Sequence, residues 1–171
     1  MILSELLERY KAGERDFEDV DLSNASLNEL DLYGINLSGA QLIGANLSGS
    51  NFTSARLIGA NLTRANLYRT RLPMADLSGA NLFRADLTDA VLLSSSLVGT
   101  DLIGSILTRT NFSGADLYYA NLRGAHLEVT NLRFSDLSHA NLSSTRLNTA
   151  KLEGATLPQI VAPAEVIALA K

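Results

Sequence analysis

Two histidines, His126 and His139, and aspartate pairs such as Asp16 with Asp19 and Asp86 with Asp89 are the side chains whose types could serve acid–base work or hold a metal. Neither set completes a site. The histidines stand at different points of the local pattern with no further ligands spaced to join them, and aspartates three apart ordinarily lie on a solvated face. Serine and threonine are plentiful, but no Gly-x-Ser-x-Gly elbow activates one of them and no phosphate-cradling P-loop occurs. The absence of cysteine removes disulfides, thiolate metal sites, cysteine nucleophiles and thiol redox switching together. The chain therefore reads as non-enzymatic, with no cofactor and no catalytic or metal-ligating residue expected.

The elements that carry these side chains follow from one period. Stepping by five from Phe17 to Leu157 visits 29 positions, of which 26 are Leu and three are Phe (Phe17, Phe52, Phe112), so the register is never broken. Two places before each of these, 25 of the 29 residues are Ala, Ser or Thr, and the exceptions, Arg15, Val20, Leu30 and Ile35, fall in the first five units. One place before, Asp or Asn predominates; their short side chains accept bonds from nearby backbone N–H groups and favour tight turns. Glycine recurs two places after, as at Gly34, Gly39, Gly44 and Gly49, where it opens backbone angles closed to other residues.

Five is the wrong period for either regular element. On an α-helix five residues turn each Leu through roughly 500°, so successive leucines drift about 140° and share no face. On a flat strand a step of five throws each Leu onto the opposite face from its predecessor. A common apolar interior requires the chain to bend between leucines, and four right-angle bends close a square coil of about twenty residues. Stacked coils make an all-β solenoid with a thin core of Leu and Ala, in keeping with 46% hydrophobic but only 6% aromatic residues and no Trp. Twenty-nine units correspond to about seven coils.

Units such as Ala45-Asn46-Leu47-Ser48-Gly49, Ala75-Asp76-Leu77-Ser78-Gly79 and Ala115-Asp116-Leu117-Tyr118-Tyr119 resemble the A-(D/N)-L-x-x motif of the pentapeptide repeat proteins. The resemblance implies a right-handed quadrilateral β-helix. The lead-in Leu7-Glu8-Arg9-Tyr10-Lys11-Ala12-Gly13-Glu14-Arg15-Asp16-Phe17 is similar to that of cyanobacterial members, which implies that origin. Three segments are expected: a helical cap over 1–13, the repeat over 14–158, and a C-terminal cap over 159–171 with a short helix after Pro163, a segment that could instead join two rods end to end. The chain is thus expected to be a monomer or an end-to-end homodimer.

Charge is banded along this rod. The net charge is −4, which gives no general attraction to nucleic acid or anionic lipid, but residues 1–31 hold nine acids against three bases, and residues 32–75 hold four arginines and no acid. Taking every fourth unit as one wall places Arg64, Arg84 and Arg123 beside Ile43, Phe83 and Ile103, the mixture of arginine with exposed apolar groups found at protein contact centres. These six are the candidate partner-contact residues. A second wall carries Tyr68, Arg69 and Arg109, and a third carries Met74, Leu93 and Phe134. The expected function is a non-catalytic interaction module or scaffold, regulatory in kind, that docks a protein partner on its flat walls. The resemblance supplies the alternative, a DNA-mimicking modulator of a type II topoisomerase (gyrase), though the basic middle of the rod weakens it. No apolar run reaches the 18 residues of a membrane span and the opening Met1-Ile2-Leu3-Ser4 lacks a secretory signature, so a cytoplasmic protein with no membrane or direct nucleic-acid contact is expected.

Overall fold

The computed structural model describes residues 2–159. One helix, α1 (Leu3–Lys11), precedes a coil in which single-residue parallel bridges join the residue before a core Leu or Phe to the one twenty further on, from Asp16 with Asn36 to Asp136 with Thr156, with His126 and Arg146 the one pair left unjoined among the described residues. Twenty residues per coil and five per unit give four walls. They are numbered here in chain order by their first core residues: wall 1 from Phe17, wall 2 from Leu22, wall 3 from Leu27 and wall 4 from Leu32.

A single unit shows how the backbone is satisfied. In Ala45-Asn46-Leu47-Ser48-Gly49, the Ala45 N–H closes a turn onto the Leu42 carbonyl at 3.0 Å, and the Asn46 N–H donates to Ala25 of the preceding coil at 2.9 Å. The Leu47 and Gly49 N–H groups donate to Asn66 and Tyr68 of the following coil at 2.8 and 2.9 Å. Only the Ser48 N–H has no main-chain acceptor, and Asn46 Oδ1 takes it at 3.1 Å. Where an asparagine or aspartate precedes the Leu, it thus closes the hydrogen-bond account of the corner. Where Arg71 occupies that position, the residue that would need the acceptor is Pro73, which has no N–H to satisfy.

Each turn runs from a Leu or Phe to the residue three further on, and from Asp19 to Ser144 its third residue lies in the left-handed region: Gly44 has φ 63° and Arg64 has φ 56°. A positive φ at that position alone defines a type II turn. The sequence reading ties this site to glycine, yet Met74, Val129 and Phe134 adopt φ 57° to 59° there as well. Bonds from the coils above and below hold these residues in a conformation that costs a non-glycine residue of order 1–3 kcal/mol. Tertiary pairing overrides local preference at these corners.

The interior is a stack of Leu and Phe, nearly all fully buried, with Ala, Ser or Thr at the small position. Each fully buried Leu contributes about 1.5–3 kcal/mol relative to an exposed one. Buried hydroxyls find carbonyls: Thr70 Oγ1 donates to Leu47 of the coil before at 2.9 Å, and Ser105 Oγ donates within its own turn to Leu102 at 2.8 Å. Among the described residues no buried side-chain nitrogen or oxygen lacks a partner.

Helix α1 lies on the first coil. Leu6 is fully buried, Leu3, Leu7 and Tyr10 pack partly against the core, and the Tyr10 hydroxyl donates to the Tyr33 carbonyl at 2.9 Å. Arg15, where the pattern would place a small residue, donates to the Tyr10 carbonyl at 2.9 Å with its guanidinium 3.9 Å from the Tyr10 ring centre. This exception to the pattern therefore belongs to the junction with the helix, while Val20 and Ile35 are buried in the core. The C-terminal cap expected over 159–171, and the helix after Pro163, fall outside the described residues apart from Gln159. No helix among the described residues is long and apolar enough to cross a membrane.

Candidate interaction surface

The six residues singled out from sequence fall on one column, the corner that follows wall 2. Main-chain bonds join the column directly: Arg64 N–H donates to the Phe83 carbonyl at 2.9 Å, Arg84 to Ile103 at 3.0 Å and Gly104 to Arg123 at 3.0 Å. Ile43 opens the column, one coil before Thr63. Ile43, Arg64, Arg84 and Arg123 are exposed, whereas Phe83 and Ile103 are half-buried against their neighbours.

Local structure sets their directions. Asn81 and Asp101 accept the Phe83 and Ile103 N–H groups at 2.9 Å each, which fixes the turn from which these side chains project. The Arg84 guanidinium stands 5.1 Å from the Phe83 ring centre, an aromatic contact that orients the cation without neutralising it. Gly104 follows Arg84 in this column with φ 62°, a left-handed angle that suits glycine. No carboxylate lies within ion-pair distance of Arg64, Arg84 or Arg123 among the described residues. The column therefore offers three uncompensated guanidinium groups beside apolar surface.

The other walls behave differently. On the corner after wall 3, Arg109 donates through Nε and Nη2 to the two carboxylate oxygens of Asp89 at 2.7 and 2.8 Å. Those bonds, with the charges of Arg109 and Arg69, hold the Asp89 carboxyl below its ordinary pKa. The aspartate read from sequence as one of a solvated pair is thus committed to an arginine one coil away. Arg133 pairs in the same manner with Glu153, lowering the Glu153 pKa. On the corner after wall 4, Met74 and Leu93 sit on consecutive coils, and the Phe134 ring covers Gly154 so closely that a Cβ there would meet Phe134 Cδ1 at 2.5 Å.

The histidines are not brought together. His126 is on wall 3, with Nδ1 at 4.0 Å from Glu128, in a shallow concavity that also touches Ser144 and Arg146. That hollow coincides with a gap in the ladder, since the bridge expected between His126 and Arg146 is missing while Asn121 with Asn141 and Asn131 with Lys151 are joined. His139 lies on the corner after wall 1, its ring stacked on Tyr119 at 4.8 Å and met edge-on by Tyr118 at 5.4 Å. This aromatic cluster went unnoticed in the sequence because its members are twenty residues apart; reading the chain in columns of that length exposes it. No cluster of three or more His, Cys, Asp or Glu side chains among the described residues is arranged to hold a metal ion.

A family profile described as pentapeptide repeats, in eight copies, matches residues 16–53, 45–83, 95–133 and 120–159. Among solved structures, a trypsin-treated form of QnrB1, a plasmid-mediated fluoroquinolone resistance protein, superposes with a TM-score of 0.58 at 18% identity over 83% of this chain and 79% of that one. HetL from the cyanobacterium Nostoc sp. strain PCC 7120, described as involved in heterocyst differentiation regulation, is 28% identical over 95% of this chain and all of its own, with a TM-score of 0.42. Rfr23 from the cyanobacterium Cyanothece 51142 is 27% identical over 91% of this chain and 99% of its own, with a TM-score of 0.45. No curated protein matches the chain. The likeness to QnrB1 is one of fold alone.

Proposed function

The chain belongs to the pentapeptide repeat family, and we propose that it is a non-catalytic interaction module whose corner after wall 2 docks a protein partner. In this reading the solenoid is right-handed with about seven coils, α1 closes its first coil, and the straight walls are the working surface. The observation that carries it is the column Ile43, Arg64, Phe83, Arg84, Ile103 and Arg123, in which arginines without acidic partners alternate with apolar side chains over five coils. Arginine and aromatic groups dominate the energetics of protein contacts because they give a partner both a planar hydrogen-bonding fork and apolar area. The partner chemistry that fits is a protein surface with carboxylates spaced along an apolar strip.

The topoisomerase reading draws less support. A mimic of duplex DNA presents acid along its length, whereas here the acidic residues 1–31 and the acidic stretch 76–101, with four acids and one base, are separated by residues 32–75, which hold four arginines and no acid. The test is a pull-down from cyanobacterial extract with the wild type, an Arg64→Glu, Arg84→Glu variant and an Arg133→Glu control on another corner. A partner retained by the wild type and the control but lost from the double variant supports the reading; equal recovery on all three removes this column from consideration.

A further inference from the structure

Reading the rod in columns of twenty reveals a charge order that a second copy of the chain would complement. On wall 4, parallel bridges join Asp31 to Asn51 and Asn51 to Arg71. The adjoining corner column reads Glu29, Gly49, Arg69, linked by main-chain bonds from Glu29 to Ser48 and from Gly49 to Tyr68. Both columns thus run acid, neutral, arginine over three consecutive coils. The four charged residues are exposed, and neither Arg69 nor Arg71 has a carboxylate within ion-pair distance among the described residues. On the opposite corner of the same wall two apolar side chains stand out in the same coils, Tyr33 at 54% exposure and Met74 at 61%.

Among the described residues these charges are not paired within one rod, and the Glu29 carboxylate, turned over Gly49, stops one coil short of Arg69. Acid and arginine of a column are two coils apart, about 10 Å at a spacing near 4.8 Å, which is roughly one screening length at 0.1 M salt. We propose that wall 4 is a self-association face, on which a second copy lies antiparallel about a twofold axis that crosses the coil of Asn51. That axis inverts the column order, so Glu29 meets Arg69 of the partner subunit and Asp31 meets Arg71 of the partner subunit, each pair formed twice. The same operation sets Tyr33 over Met74 of the partner subunit and puts Asn51 at the centre, and the Glu29 carboxylate swings off Gly49 to reach Arg69 of the partner subunit. A parallel copy would oppose like charges instead.

A twofold contact must be complementary to itself, and a charge order that reverses about one neutral coil meets that requirement. An unrelated partner would need only one sign. The patch is small beside the roughly 800 Å² per partner of a standard interface, so the association is weak and screened by salt.

Sedimentation equilibrium on the full chain tests this. The wild type shows a concentration-dependent doubling of mass at about 0.1 M salt that is lost at about 1 M, where the screening length falls to roughly 3 Å. Asp31→Arg and Arg71→Asp are each monomeric alone, because both pairs between positions 31 and 71 become like-charged and outweigh the two remaining pairs of Glu29 with Arg69, and an equimolar mixture of the two regains the dimer. Both substitutions place residue types that the same repeat position already holds at Arg56 and Asp76, and circular dichroism confirms that the coil is retained. A wild type that stays monomeric at low salt overturns the proposal. So does a dimer that survives either single reversal, which would place the contact at a rod end or on another wall, and so does a mixture that fails to reassociate. Because Arg64 and Arg84 lie outside this wall, their reversal leaves the dimer intact, which keeps this result separate from that of the pull-down.

Discussion

At the scale of the residue, an Asp or Asn before the Leu has a defined backbone task. Asn46 accepts the Ser48 N–H, and Asp76 accepts that of Ser78 at 3.0 Å. Replacing Asn46 by Ala leaves the Ser48 N–H without its acceptor in a crowded corner and costs about 1 kcal/mol. Arg71→Ala costs much less, because Pro73 presents no N–H. Thermal or urea melts of the two variants check this; equal losses would mean that the asparagine contributes only its fit to the turn. This much was legible in the sequence, since Asp and Asn so often precede the Leu. The left-handed backbone of Val129 and Phe134 was not, because it is imposed by bonds from neighbouring coils and no local propensity announces it.

At the scale of the element, the rod and the helix are held by different means. Each coil is bound to its neighbours by main-chain bonds at nearly every unit, the gap between His126 and Arg146 excepted, whereas α1 is attached through one fully buried side chain, Leu6, a few partly buried ones, and polar ties such as Tyr10 to Tyr33. Leu6→Ala should therefore loosen the helix before it unfolds the rod. The expected loss is about 2–5 kcal/mol, accompanied by increased binding of a hydrophobic dye and by concentration-dependent aggregation as the first coil is uncovered. A melt that shifts with no gain in dye binding would show that the helix stays docked. The helical cap expected over 1–13 has its counterpart in α1, Leu3–Lys11. The exceptions at Arg15, Val20, Leu30 and Ile35 acquire meaning only in three dimensions: Val20 and Ile35 are buried, Leu30 is partly so, and Arg15 is turned outward onto Tyr10.

At the scale of the whole molecule, both proposed surfaces depend on residues twenty apart standing one above another. That register was legible because the period of five is kept from Phe17 to Leu157; the column of Ile43, Arg64, Phe83, Arg84, Ile103 and Arg123 followed from it and is found stacked as expected. Charges counted in blocks along the chain showed an acidic end and a basic middle, but not that Asp31 and Arg71 share a column or that Asp89 is committed to Arg109. Those relations appear only when the chain is wrapped on its own period. The register can be measured directly because the chain contains no cysteine of its own. With Cys placed at Thr88 and Thr108, positions on the same corner of adjacent coils, the Cα separation falls within the roughly 4.4–6.8 Å that a disulfide spans, and mild oxidation closes the pair completely within one chain. With Cys at Thr88 and Val98, ten residues apart on opposite corners, no intramolecular disulfide forms. Closure of the second pair, or failure of the first in a folded chain, would contradict the twenty-residue coil on which both docking surfaces stand.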